Sequence, residues 1–272
     1  MSAVELWKSR VKAHHAQSIK AQGGTVPPED FWRPFASHFW LDPYRKDDPV
    51  LNRLIQEVQP EGTVLDVGGG AGRFALPLAL RCRHVTVVEP SQSMVELLRQ
   101  EALEADMQNL SIVQGAWEGV ELQPAEVVLC AHVLYGVEEV EPFVRKLDSH
   151  ARDRVLILMF VDSPQSHLSP LWKRVHGEER VTLPGLRELL PVLWEMELYP
   201  SLEMVHTSGP QMYETWEGAR EEFRRRLYVK PGTAKDRRLE TAMEKLLDRT
   251  PDGLVIRGTP SRHLGLLLWR PK

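Results

Sequence analysis

Between Thr63 and Glu89 the chain reads TVLDVGGGAGRFALPLALRCRHVTVVE. A short apolar segment holding one acid runs into glycines, then into helix-compatible residues, then into a second apolar segment that ends on another acid. No other stretch restricts the fold as tightly. Val64, Leu65 and Val67 bracket Asp66 as in a buried strand. Gly68, Gly69, Gly70 and Gly72 let the main chain turn with positive φ and leave no Cβ between backbone and ligand. The following helix would point unpaired N–H groups at that ligand. Val85 to Val88 form the next strand, and Glu89 stands where a carboxylate accepts hydrogen bonds from ribose hydroxyls.

Two patterns overlap in this loop. Gly70, Gly72 and Ala75 fit the dinucleotide fingerprint G-x-G-x-x-G/A, with Glu89 as the ribose acid, and on that reading the chain is an NAD(P)-dependent oxidoreductase. An acid followed by G-x-G-x-G, at Asp66, Gly68, Gly70 and Gly72, resembles instead the glycine motif of class I S-adenosylmethionine-dependent methyltransferases. Asp66 separates the two. A carboxylate ahead of the loop repels a pyrophosphate, whereas the resemblance implies that it pairs with the cationic amino group of the cofactor's methionine moiety.

The resemblance continues along the chain. Glu89, Pro90 and Ser91 look like the family's second motif, which implies that Met94 packs against adenine. SIVQGAWEGV resembles the segment after the third strand and implies that Gly115, Ala116 and Trp117 line the adenine pocket. There the chain departs from the family, because Ala116 stands where many members carry an acid for the adenine amino group. Adenine recognition then falls to backbone groups or to stacking, with Trp117 as the candidate. EVVLCAHVLYGVEEVEPFVRKL resembles the fourth-strand motif, which implies that Cys130 and Ala131 line the cofactor pocket and that His132 stands where methyl transfer occurs. This likeness is close over roughly residues 50 to 160. It implies an α/β fold, a doubly wound, mostly parallel seven-stranded sheet of the Rossmann-like methyltransferase type. It also implies S-adenosyl-L-methionine as cofactor, with S-adenosyl-L-homocysteine as product, and a small-molecule methyl acceptor. A third reading keeps the cofactor pocket in a non-catalytic binding module.

Bulk properties allow this fold without demanding it. With 272 residues, 42% of them hydrophobic, the chain can bury a large core. A net charge of −4 supplies no global attraction to nucleic acid or to an anionic membrane. Two cysteines, Cys82 and Cys130, make no disulfide framework and no C-x-x-C pair. With no secretory leader pattern and no run long enough to span a bilayer, a cytoplasmic protein is expected.

Residues 1–48 are expected to form a helical, aromatic-rich segment. Leu6, Trp7, Val11 and His14 share a stripe, Gly23, Gly24, Pro27 and Pro28 end it, and Phe31, Trp32, Phe35, Phe39, Trp40 and Tyr44 either cover the sheet or act as a lid over the substrate. The cofactor core is expected over 49–207. It opens with a helix from Pro49 to about Gln59, capped by Asp47 or Asp48, and includes a buried central strand over Val155 to Val161. Pro77 lies either in the first turn of the glycine-loop helix or at a kink. A helix is expected from about Leu183 to Met196, then a strand from about Leu202 to His206. Tyr213, Trp216, Phe223 and Leu227 on one helical face, and Leu239, Met243, Leu246 and Leu247 on another, predict a helical insertion over 208–250 as a substrate cap. Two closing core strands are expected over 251–272, at Leu254 to Arg257 and Leu264 to Trp269.

Methyl transfer from a sulfonium is an in-line displacement, so alignment comes first and a base is optional. His132 is the candidate base or substrate hydrogen-bond donor, with Tyr135 close behind it. Arg73, just after the last glycine, either meets the cofactor carboxylate or simply begins the helix. His14 and His15 are neighbours and so point to different helix faces, and His38, His167, His176, His206 and His263 have no ligand partner at metal spacing, so no metal is expected. Cys130 reads as a small buried residue. Arg220, Arg224, Arg225 and Arg226, with Lys230, Lys235, Arg237 and Arg238, form the one basic concentration. Glu217, Glu221 and Glu222 dilute it at helical spacing, which argues for a solvated face over a nucleic-acid site.

Overall fold

A computed structural model describes residues 1–24, 30, 33, 41–205 and 209–272. The core is a seven-stranded sheet. Its strands are β1 (Thr63–Val67), β2 (His84–Glu89), β3 (Leu110–Gln114), β4 (Ala125–Ala131), β5 (Ala151–Phe160), β6 (Ser201–Val205) and β10 (Leu264–Trp269). They lie in the order β3-β2-β1-β4-β5-β10-β6, parallel from β3 to β5, with β10 antiparallel to both β5 and β6. The order reverses between β1 and β4, and in open α/β sheets ligands bind beyond the strands' carboxyl ends at such a switch point.

The inner strands bury both faces, which is why their apolar runs are continuous rather than alternating, while the edge strands β3 and β6 are partly or largely exposed. Val64, Val85, Val87, Val127, Leu129, Leu156 and Leu158 point to one side. They pack there with α2 (Pro49–Ile55), α3 (Ala75–Ala79) and α4 (Gln92–Glu104). Leu65, Val67, Val128, Cys130, Val155, Ile157 and Met159 point to the other side, onto α5 (Val140–His150), α7 (Leu186–Glu195) and α1 (Ala3–Ala21). Asp48 caps α2 by accepting from the Leu51 N–H at 3.0 Å, with Pro49 in the first turn. Ser91 caps α4. Pro77 is the third residue of the short α3; the Leu76 and Leu78 N–H groups on either side donate to the Gly72 and Phe74 carbonyls, and the Arg73 carbonyl that Pro77 cannot serve accepts from Arg45 at 2.8 Å instead. Gly265 of β10 is required by packing, since a Cβ there would lie 2.2 Å from Leu186 of α7.

A second hydrophobic cluster stands beside the sheet. It joins α6 (Ser169–His176), α8 (Trp216–Arg226), α9 (Ala234–Leu246) and a three-stranded sheet of β7 (Met212–Tyr213), β8 (Leu247–Thr250) and β9 (Gly253–Ile256). Two expectations are corrected here. Leu254 to Ile256 does not close the core sheet, because β9 pairs with β7 and β8, leaving β10 alone in that role. The insertion is not purely helical, and it recruits α6 from inside the stretch assigned to the core. An alternating apolar pattern predicts a strand but does not name its partners. The aromatic cluster Phe31, Trp32, Phe35, Phe39 and Trp40, together with Pro27, Pro28, His38 and His206, lies outside the described residues.

Candidate active site

The glycine loop turns directly over a buried acid. Asp66 is 1% exposed, and neither of its carboxylate oxygens has a hydrogen-bond partner. Burial, with Glu89 nearby, pushes its pKa up to about 7. A Cβ on Gly69 would fall 2.8 Å from Asp66 Oδ2, so the loop can close over this carboxylate only as glycine. Gly70 holds φ at +56°, and a Cβ there would meet open space. Its N–H donates to Glu89 Oε2 at 3.0 Å, while the Ser91 N–H donates to Glu89 Oε1 at 2.9 Å. Each Glu89 oxygen keeps a lone pair for a further donor. Burial raises the pKa of Glu89, and these two hydrogen bonds oppose the rise.

At the other end of the loop Arg73 carries the opposite charge. Its Nε is buried without a partner among the described residues, and its guanidinium lies 5.2 Å from the Phe74 ring. An orphaned anion before the loop and an orphaned cation donor after it suit a ligand that carries both an ammonium and a carboxylate. Pro90 is exposed beside Glu89, and Met94 is buried against Ala71. Gly115 donates its N–H to the Glu89 carbonyl at 3.1 Å, which brings the β3 turn next to the β2 acid, and Ala116 is exposed. The expected stacking by Trp117 is corrected. Its ring is 3% exposed, its Nε1–H donates to the Phe143 carbonyl at 3.3 Å, and Lys146 Nζ covers it at 4.7 Å. α5 has taken that side chain into the core.

At the carboxyl end of β4, Cys130 is fully buried, and burial pushes its thiol pKa far up, which leaves it inert. Ala131 follows, half-buried. His132 then adopts φ +61°, a left-handed conformation that costs a non-glycine residue energy and clusters at functional positions. Its N–H donates to the Leu158 carbonyl at 2.8 Å, and its ring lies 4.9 Å from Phe160. Tyr135 Oη accepts from the Phe160 N–H at 2.7 Å and lies 3.1 Å from His132 Nδ1. Tyr135 Oη, with one proton and a second lone pair, shares a hydrogen bond with Nδ1 whose direction follows the imidazole tautomer. Burial, then the charges of Arg73 and Arg262, pulls the His132 pKa down to about 3. His132 is therefore held neutral at neutral pH.

Three contributors carry no local sequence signal. Asp30 accepts from Ser91 Oγ and the Ser93 N–H, both at 2.8 Å, next to Glu89. Phe160 and Arg262 come from β5 and the loop before β10, and Arg262 stands 5.2 Å from the Phe160 ring. The basic run is largely neutralised, through Arg220–Glu240, Arg224–Asp236 and Arg226–Glu222 pairs. Arg237 and Arg238 instead join Arg174 and Lys245 along a shallow groove between α6 and α9, and among the described residues none of these four meets a carboxylate. No helix among the described residues is long and apolar enough to cross a membrane.

Residues 64–153 match the methyltransferase domain family. The chain is 34% identical over 152 residues to the ribosomal RNA small subunit methyltransferase G of Ralstonia nicotianae, covering 51% of this chain and 63% of that protein. The same protein of Methylobacillus flagellatus is 32% identical over 151 residues, covering 52% and 71% respectively. The chain spans about two thirds or less of the length of the first curated relatives it matches. Among solved structures, the fold resembles a SAM-dependent methyltransferase from Geobacter sulfurreducens in complex with S-adenosyl-L-homocysteine. That likeness has a TM-score of 0.55 at 15% identity, over 90% of this chain and 98% of that one.

Proposed function

The chain belongs to the class I S-adenosylmethionine-dependent methyltransferases, and we propose that it transfers the methyl group of S-adenosylmethionine to a small-molecule acceptor held beside His132. One observation carries the cofactor assignment: the Asp66 carboxylate, buried under the glycine loop with both oxygens unpartnered. A protein retains so costly a group where a ligand completes it. The ammonium of the methionine moiety completes Asp66, the carboxylate of that moiety suits Arg73, and the ribose hydroxyls suit the spare lone pairs of Glu89. Met94 and the backbone of Gly115 and Ala116 are left for adenine. A dinucleotide fits poorly, because its pyrophosphate would lie on the loop above the buried Asp66 carboxylate.

When bound, the cofactor supplies a methyl group on a sulfonium, a donor that leaves as a neutral thioether. The protein's own residues then align and shield. His132 offers its Nε2–H to the acceptor, its ring held at Nδ1 by Tyr135, which is itself fixed by the Phe160 N–H. A neutral donor orients an acceptor without taking its proton, which suits a nucleophile that is already neutral or ionised.

Calorimetry on the full chain tests the assignment. S-adenosylhomocysteine should bind and NADH should not, and the reverse would return the oxidoreductase reading. Release of S-adenosylhomocysteine on incubation with a metabolite pool would exclude a purely binding module. An RNA acceptor is the second reading, favoured by the groove of Arg174, Arg237, Arg238 and Lys245. It calls for RNA affinity that falls steeply with salt, and affinity indifferent to Arg237→Glu would remove it.

A further inference from the structure

The turn after β3 stands next to the Glu89 acid but carries no acid of its own for adenine. Gly115 is tied to the Glu89 carbonyl at 3.1 Å, and Ala116 brings only a methyl group. The turn is folded closely on itself. A Cβ on Gly115 would lie 2.8 Å from a Val120 methyl, and the Gly119 N–H donates to the Ala116 carbonyl at 3.0 Å.

One side chain from α5 grips this turn by its main chain. Lys146 Nζ donates to the Trp117 carbonyl at 2.7 Å and to the Val120 carbonyl at 2.6 Å, with the Glu118 carbonyl at 3.4 Å. An ammonium has three donors, and here all of them face carbonyls of a single turn. Among the described residues its partners are these carbonyls and the Trp117 ring, and none is a carboxylate. Hydrogen bonds from a charged donor are the strong ones, so the charge of Lys146 is committed to ordering backbone. The bond from Trp117 Nε1 to the Phe143 carbonyl gives α5 a second hold on the same turn.

Such a grip sets direction as well as position. A peptide is planar and trans, so a carbonyl turned toward Lys146 points the following N–H the opposite way. The Trp117 carbonyl is held in this manner, which aims the Glu118 N–H away from α5. A turn fixed before the ligand arrives has no ordering cost left to meet when main-chain groups take up a base.

We propose that Lys146 is the positioning residue for adenine recognition. It holds the turn over residues 115–120 so that main-chain groups, in place of a side-chain acid, read the amino-bearing edge of the base. The proposal rests on the methyltransferase reading and on the placement of adenine at Gly115 and Ala116, and it assigns base specificity to a residue of α5 that acts through the turn.

Calorimetry on the full chain with S-adenosylhomocysteine and S-inosylhomocysteine tests it, since the second ligand replaces only the purine amino group by an oxo group. The unaltered chain should prefer the adenine ligand by about tenfold or more, the scale of leaving a recognition group unmatched. Lys146→Met keeps the alkyl stem and removes the ammonium. It should weaken S-adenosylhomocysteine about tenfold and S-inosylhomocysteine by less than about threefold, so that the preference collapses. Lys146→Arg keeps a charged donor and should retain most of the preference. A residue that only stabilised the fold would weaken both ligands alike, and melting curves without ligand measure that contribution separately. Should Lys146→Met fail to fold, Lys146→Gln, with neutral donors only, gives the same comparison. Equal loss of both ligands, an unchanged preference in the variant, or no preference in the unaltered chain overturns the proposal alone. Failure of S-adenosylhomocysteine to bind the unaltered chain overturns the cofactor reading and this proposal with it.

Discussion

Asp66 exposes a conflict between stability and function. Its carboxyl is raised from 3.8 to about 7, so the folded chain without ligand holds a proton that the unfolded chain releases. The sign follows: this group takes stability away as pH rises from near 4 to near 7. Asp66→Asn should raise the thermal stability of the ligand-free chain at pH 8, by roughly 1 kcal/mol or more, because a buried charge is harder to accommodate than a buried amide. The same change should cost S-adenosylhomocysteine binding about 3 kcal/mol, the scale for breaking a buried charge pair. In the unaltered protein that binding should weaken as pH falls below about 7, since the carboxyl must ionise to meet an ammonium. Melting curves and calorimetry across pH check all three, and a pH-independent affinity would contradict the role. For His132, nitrogen-detected NMR should show the Nε2–H tautomer with no titration between pH 5 and 8, given a pKa near 3. His132→Asn keeps an N–H donor and tolerates the left-handed backbone, so it should retain more turnover than His132→Ala. Equal loss in both would deny the donor role.

At the scale of elements, α1 is docked on the core by specific contacts. Trp7 Nε1 donates to the Val137 carbonyl at 2.8 Å, just after the turn that carries Tyr135, and Arg10 pairs with Glu188 of α7. His14 is central to this docking. Arg180 donates to its Nε2 at 2.8 Å, and its Nδ1 lies 2.7 Å from the Val181 carbonyl. Burial, then Arg180, pulls the His14 pKa from 6.5 down to about 4. Its contribution is therefore complete above 6.5 and is lost as pH falls toward 4. Hydrogen exchange in α1, corrected for intrinsic rates, should show less protection at pH 5 than at pH 7, and His14→Gln should flatten that dependence. Trp117 teaches the complementary lesson. Its neighbours in sequence belong to the adenine segment, yet its ring direction is set by α5, whose Phe143 and Lys146 lie far along the chain.

For the whole molecule, the separation of the core sheet from the cluster of α6, α8, α9 and β7 to β9 sets what can be changed independently. Phe223 is fully buried in that cluster, which shares no buried residue with the two faces of the large sheet. Phe223→Ala should cost about 3–5 kcal/mol of stability there. S-adenosylhomocysteine affinity should persist in native buffer, as calorimetry would show, and a parallel loss of both would mean the two regions are coupled.

What the sequence by itself determined was the cofactor end of the molecule. Asp66, the glycines and Glu89 lie within one strand, turn, helix and strand, and the chemistry of that unit follows from backbone conformation and local charge. The depressed pKa of His132, the burial of Trp117, the pairing of β9 and the approach of Phe160 to His132 were decided only by tertiary structure. Each depends on which distant surfaces pack together, and side-chain direction, desolvation and strand partnership come into being only when those surfaces meet.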